Sequence, residues 1–174
     1  GGSPAANIAR WNGATWAPLG AGLPAPQFQQ AVQDLAVVNN QLVAVGNFDV
    51  ASGAPADSIA RWNGTSWTAL SAPGVTVRSA TSVGEYNGEL IAGCNYSSVG
   101  GVTPDNIGRW NGVSWQALGT GLNGTVTALA VYNNELIAGG YFSGRIARWN
   151  GTTWQPLGSG LDNAPNSLAV YNGE

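Results

Sequence analysis

The sequence predicts an all-β protein made of short antiparallel strands, and a tandem repeat is the main basis for this prediction. The motif Arg-Trp-Asn-Gly occurs four times in 174 residues, with its arginine at Arg10, Arg61, Arg109 and Arg148. Successive arginines are 51, 48 and 39 residues apart, and periods of about 20 to 50 residues are typical of solenoids and propellers. Gly and Pro are too frequent for helices, and no segment has a helical apolar period.

Each repeat is interpreted as four strands, named a to d, which are joined by tight turns. In the last complete repeat, strand a (Val126–Tyr132) turns at Asn133-Asn134 into strand b, ELIAGGYF. Strand c, RIARW, then turns at Asn150-Gly151 into strand d, TTWQPL. Asn-Asn and Asn-Gly accept the positive φ values of a type I′ turn, so the same turn is predicted in both hairpins. Four short strands per repeat is the size of one β-propeller blade.

The predicted architecture is a single array, residues 1–174, of four-stranded antiparallel propeller blades, with about four repeats present. Complete repeats occupy 32–71, 77–120 and 126–159, and partial repeats occupy 1–23 and 166–174. The first partial repeat holds strands c and d, and the last holds only strand a. Because an unpaired strand exposes its backbone hydrogen-bonding groups, we expect the array to belong to a larger propeller or to be completed by another chain.

The string LIAGGYF, followed by RIARWNGTTWQPL, resembles the blades of kelch-type propellers. It is similar to kelch-like repeats of secreted bacterial proteins and of fungal cortical polarity markers. It departs from kelch because the glycine pair is intact only at Gly139-Gly140, and because Arg-Trp stands in a short c–d hairpin where kelch usually has Tyr. The resemblance implies a propeller with a binding or scaffolding role, but it does not imply a particular ligand.

Composition narrows the classes of function. Six Arg, no Lys and nine acidic residues give a net charge of −3, which argues against binding to nucleic acid or to an anionic membrane surface. The longest apolar runs are far shorter than the roughly 20 residues of a membrane helix, so no membrane insertion is expected. The low charged fraction, 9%, and the absence of Lys favour a secreted or cell-surface protein.

The chain contains no His, and Cys94 is its single Cys. The absence of His removes Ser-His-Asp and Cys-His catalysis and every His-based metal site. The absence of Lys removes Schiff-base catalysis. Paired carboxylates are the only acid–base route left, and the acidic residues are scattered along the chain. We therefore predict no catalytic residue, no metal site and no cofactor. Cys94 stands at a glycine position of strand b and is interpreted as a small buried residue.

All eight Trp lie in the repeated motif, two per repeat, and two interpretations are open. As structural residues, they would pack between blades and bury large apolar areas. As binding residues, they would stack on sugar rings, and the repeats would give avidity. The motif arginine is expected to stack on Trp or to bond to carbonyls of a neighbouring blade; the alternative is a ring of anion-binding sites.

Loop length varies only at the b–c and d–a connections, which emerge on one face of a propeller. Because binding residues tend to lie on loops held by a rigid scaffold, we place the candidate binding site on this face. Its non-repeating polar and aromatic residues are Phe28, Asp49, Asp57, Arg78, Tyr96, Asp105, Arg145 and Asp162. Asp34 replaces the small residues Ser82, Ala128 and Ser167 on strand a, so it is predicted to line the central channel.

Three functions are consistent with these patterns. The first is a non-enzymatic exported scaffold or protein-interaction module, with a protein partner or self-association. The second is a lectin-like propeller that binds glycans. The third is a propeller enzyme with carboxylate catalysis, which needs two carboxylates about 5 to 10 Å apart in a cleft.

Overall fold

The computed structural model describes residues 4–25, 32–56, 58–70, 79–95 and 106–174, and in these ranges it contains antiparallel sheets and no helix. We number the main sheets as blades 1 to 4. Blade 1 contains β1 (Ala9–Trp11) and β2 (Trp16–Pro18). In blade 2, β3 (Val32–Val38) and β4 (Gln41–Gly46) are followed by a separate small hairpin of β5 (Val50–Ala51) and β6 (Ala54–Pro55), and then by β7 (Ile59–Trp62) and β8 (Trp67–Ala69). Blade 3 contains β9 (Ala80–Tyr86), β10 (Glu89–Cys94), β11 (Ile107–Trp110) and β12 (Trp115–Ala117). Blade 4 contains β13 (Val126–Tyr132), β14 (Glu135–Gly140), β15 (Ile146–Trp149) and β16 (Trp154–Pro156).

Strands a to d lie side by side in chain order in blades 2, 3 and 4. The a strands of successive blades, β3, β9 and β13, contact one another and form the inner wall. Among the described residues, buried clusters join blades 1 and 2, blades 2 and 3, and blades 3 and 4, whereas none joins blades 4 and 1, so the array is open. The predicted all-β fold of four-stranded, propeller-like blades is confirmed.

The predicted last strand, in residues 166–174, belongs to no sheet. A strand is defined by its ladder of backbone hydrogen bonds, and no described strand forms such a ladder with this segment. The segment still begins beside the inner wall, because the Thr127 hydroxyl donates to the Pro165 carbonyl over 2.6 Å. Its turn also forms, since the backbones of Tyr171 and Glu174 exchange hydrogen bonds.

The a–b turns match the prediction, whereas the c–d turns do not. In each a–b turn both central residues have positive φ, as in Asn39 (47°) and Asn40 (62°). In the c–d turns only the glycine does, and Gly151 has φ 96°. The preceding Asn150 instead accepts two backbone N–H bonds on its Oδ1, from residues 152 and 153. The asparagine is therefore needed for its side chain, and the prediction of one turn type for both hairpins is wrong.

The apolar core lies between neighbouring blades. One cluster joins Val45 and Ile59 of blade 2 to Leu90 and Ala92 of blade 3. Cys94 belongs to the same cluster and is fully buried, as expected for a small core residue. An equivalent cluster joins blades 3 and 4. Since each blade covers the apolar face of the next, the interface between blades is the main place where apolar area is removed from water.

Candidate functional site

Neighbouring blades are joined by a recurring hydrogen bond from an indole. In the described residues, the second Trp of a motif donates its Nε1–H to a leucine carbonyl at the end of strand d in the preceding blade. The pairs are Trp67 with Leu19 at 3.1 Å, Trp115 with Leu70 at 3.0 Å, and Trp154 with Leu118 at 3.1 Å. Trp67 and Trp115 are only 3% and 2% exposed. The predicted structural role of these tryptophans, in packing between blades, is confirmed.

In blades 2 and 4, the first Trp of the motif packs on the glycine that follows the leucine of the preceding blade. A Cβ added to Gly20 would lie 3.0 Å from the ring of Trp62, and one added to Gly119 would lie 2.7 Å from the ring of Trp149. Both glycines also have positive φ, 59° and 66°. We name the Leu-Gly pair at the end of strand d the Trp seat, and its glycine is required both by φ and by the close approach of the ring.

Both edges of the array carry one unmatched half of this joint. On blade 1, Trp11 and Trp16 are 52% and 57% exposed, and their rings contact each other with centroids 5.4 Å apart. On blade 4, Leu157 and Gly158 have the form of a Trp seat, with Gly158 at φ 60°. No described atom lies within 4 Å of the Cβ position of Gly158. One edge therefore presents an uncovered Trp pair, and the other presents a vacant seat.

In blades 3 and 4, the motif arginine pairs with an acid of its own blade. Arg109 lies 3.2 Å from Glu89, and Arg148 lies 3.1 Å from Glu135. The register pairs Arg109 with Ile91, so Glu89 is a diagonal neighbour on the adjacent strand. For Arg109 and Arg148, this corrects the expectation of Trp stacking or carbonyl bonds in another blade. The pairs are about half exposed, so each contributes little to stability.

Asp34, the candidate channel-lining residue, lies on the wall of a cavity of about 490 Å³ at the inner strands. The wall also includes Gln33, Thr81 and Thr127. Each of these residues lies at the β-bulge of its own a strand, in β3, β9 and β13 respectively. Asp34 accepts the N–H of Val83 in the next blade at 2.9 Å and the N–H of Leu35 at 2.8 Å. Its carboxylate thus connects the inner strands of blades 2 and 3.

Replacing Asp34 by alanine is expected to lower the free energy of unfolding by about 1–3 kcal/mol, because two backbone N–H groups lose their acceptor. Urea denaturation measures this change. The control is Asp162→Ala at an exposed acid, which should change stability by less than about 0.5 kcal/mol. Equal effects of the two substitutions would contradict a bridging role of Asp34.

The predicted binding residues of the loop face are only partly described. Phe28, Asp57, Arg78, Tyr96 and Asp105 lie outside the described residues. Of the others, Asp49 and Asp162 are exposed and Arg145 is half-buried.

Arg145 stands where Asn7 and Asn106 stand in blades 1 and 3, and all three have positive φ. The two asparagine side chains donate to d–a loop carbonyls, Leu23 and Leu122. The b–c and d–a connections are therefore adjacent, and a binding site on this face stays a prediction.

The b–c loop of blade 2 covers a sheet edge. Its β5–β6 hairpin contacts β8, the outermost strand, and Ser52 Oγ accepts the backbone N–H of Trp67 at 2.8 Å. Ala51 and Ala56 are buried in the cluster that joins blades 1 and 2. This loop protects an edge strand, so its length has a structural reason.

Two equivalent clefts open between neighbouring blades, beside the a–b and c–d turns. The cleft between blades 2 and 3, about 200 Å³, is lined by Arg61, Glu89 and Trp110. The cleft between blades 3 and 4, about 330 Å³, is lined by Arg109, Glu89 and Trp149. Each combines an arginine of one blade with a Trp of the next, so charged groups and an aromatic ring share one concave surface.

The sequence interpretation missed the Trp seat. Its signal is the Leu-Gly-x-Gly-Leu string after strand d, present as LGAGL, LGTGL and LGSGL. Without the structure, nothing indicated that its glycine faces a ring of the following blade. Within the described ranges, no helix is long and apolar enough to cross a membrane.

Comparison with known proteins does not assign the chain to a family. No protein-family model matches the chain, and no curated protein matches it either. The class defined by fold and site is an open array of propeller-like blades joined through Trp seats.

Proposed function

We propose that the chain is a non-enzymatic, exported scaffold module that binds protein through its blade edges. The observation that supports this most is the exposure of Trp11 and Trp16, whose equivalents Trp62 and Trp67 are covered by a neighbouring blade. Exposed clusters of large apolar side chains mark interaction sites, and Trp is enriched among the residues that dominate binding energy. Export is supported by the low charge and the absence of Lys.

The use of the acidic residues supports a non-enzymatic role. Glu89 and Glu135 pair with arginines, and Asp34 accepts two backbone N–H bonds. A general acid or base needs a carboxyl group free to exchange a proton with a substrate. These three carboxylates instead already have partners within or between the blades.

A second candidate, glycan binding, is favoured by the two clefts between blades. The diagonal neighbour of Arg61 on the adjacent strand is Gln41, whereas the corresponding neighbour of Arg109 and of Arg148 is a Glu. Arg61 forms no ion pair in the described part of the chain, so its guanidinium is available beside Trp110. An aromatic ring and an available cation fit an acidic sugar.

One experiment separates these functions. The wild-type chain, the double variant Trp11→Ser/Trp16→Ser and Arg61→Met are compared in two assays, photo-crosslinking to proteins of the native source and binding to a glycan array. For a scaffold, we expect protein contacts that the double variant loses by at least about tenfold, and no saturable glycan binding. Saturable glycan binding that Arg61→Met weakens, with protein contacts unchanged in the double variant, would replace the scaffold proposal by the lectin one.

A further inference from the structure

The two open edges carry complementary halves of the joint that connects the blades. We propose that a second copy of this chain docks its Trp11/Trp16 edge on the Leu157-Gly158 seat, forming a head-to-tail assembly. Trp16 would donate its Nε1–H to the Leu157 carbonyl, and the ring of Trp11 would lie on Gly158. This inference rests on the proposed scaffold function and names the partner of its edges.

The geometry of the vacant seat matches that of the occupied ones. Gly158 has φ 60°, compared with 59° for Gly20 and 66° for Gly119. The next turn also matches, because Gly160 donates to the Leu157 carbonyl as Gly121 donates to the Leu118 carbonyl. The seat is therefore formed before any Trp enters it, so docking pays little for ordering it.

A second complementary pair lies at the same two edges. Glu174 follows Asn172-Gly173 as Glu89 follows Asn87-Gly88, and Glu89 pairs with the motif arginine of its own blade. Arg10 is the motif arginine of blade 1, and within the described residues neither Arg10 nor Glu174 forms an ion pair. A blade shared by two copies, with Glu174 from one and Arg10 from the other, would bring opposite charges together.

Blade 1 is sufficient for the contact. In the described residues it consists of only β1 and β2, yet its Leu19 and Gly20 hold Trp67 and Trp62 of blade 2. Since the joint involves only the outer hairpin, β1 and β2 can supply the Trp pair in the same way.

Head-to-tail contacts use two different surfaces, so they produce a ring where the rotation closes and a filament where it does not. Each copy donates at one edge and accepts at the other. Substitution of either surface therefore leaves the other surface functional, and this property allows a complementation test.

The test is sedimentation velocity of three chains over a concentration series. Wild type is expected to show an average mass that rises with concentration. Trp16→Ala removes the donor half, and Gly158→Ala places a methyl group where the ring of Trp11 must lie. Each variant should weaken self-association by at least about tenfold. An equimolar mixture of the two variants should form dimers and nothing larger, because only one intact joint can form.

The control is Gly88→Ala, at a turn glycine with φ 76° and no atom within 4 Å of its Cβ position. It should assemble like wild type. A wild-type chain that stays monomeric at every concentration would overturn the proposal, as would a mixture of variants that forms no dimer. If wild type is monomeric but Trp11→Ser/Trp16→Ser still loses a contact with another protein, the second-copy inference fails and the scaffold proposal stands. If wild type is monomeric and the double variant also loses no contact with another protein, both proposals are overturned.

Discussion

Replacing Trp115 by alanine is expected to lower the free energy of unfolding by about 3–5 kcal/mol. The ring is 2% exposed and lies in the core cluster between blades 2 and 3. Its Nε1–H is bonded to the Leu70 carbonyl at 3.0 Å, so the substitution removes a packed ring and also the donor of a buried carbonyl. Urea denaturation followed by far-UV circular dichroism measures the change.

Trp16→Ala is the matched control, because Trp16 is the equivalent residue of blade 1 and is 57% exposed. At a concentration where the chain is monomeric, it should lower stability by about 0.5–1.5 kcal/mol, the value of its ring contact with Trp11. Trp115→Phe keeps most of the apolar area and removes the N–H, so it separates the two contributions. A Trp115→Ala variant as stable as Trp16→Ala would mean that the joint between blades does not stabilise the array.

Replacing Gly119 by alanine is expected to lower the free energy of unfolding by about 2–4 kcal/mol. The new Cβ would lie 2.7 Å from the ring of Trp149, so the seat or the ring must move, and overpacking of this kind costs about 1–3 kcal/mol. The positive φ of 66° adds about 1 kcal/mol of backbone strain. Thermal or urea unfolding of the purified variant measures the loss.

Gly158→Ala provides the comparison, since it has φ 60° and an unoccupied seat. It should cost only the backbone strain, about 1 kcal/mol, when measured on the monomer. The difference between the two variants isolates the clash with the ring. Equal losses at Gly119 and Gly158 would contradict the assignment of this glycine as a contact point for Trp.

The sequence predicted the blades well because their signals are local. Alternation within Val126–Tyr132 and the Asn133-Asn134 turn define one hairpin by themselves, and the period repeats it along the chain. The structural role of the tryptophans could also be predicted, because the same Trp pair occurs in all four motifs and the contact between neighbouring blades is repeated in the same way. Asp34 could be placed on the inner strand from register alone.

Contacts between distant segments could not be predicted in the same way. The pairing of Arg109 with Glu89 depends on a diagonal across two strands, whereas sequence spacing suggests contacts with the adjacent Trp110. The seat glycine Gly119 contacts Trp149, 30 residues later. The binding role of the loop-face residues stays a prediction, because they were chosen for not repeating, and a lack of repetition gives no geometry.

The Trp joints also determine how stability is distributed along the array. Each joint connects a blade only to its immediate neighbour, so the total free energy is close to a sum of blade terms and nearest-neighbour coupling terms. Within the described residues, blades 2 and 3 have a joint on both sides, whereas blades 1 and 4 each have one. Cooperativity of unfolding is therefore strongest in the middle, and local opening is expected to start at the two ends and move inward. Occupation of the vacant seat would give blade 4 its second coupling and convert an end unit into an interior one.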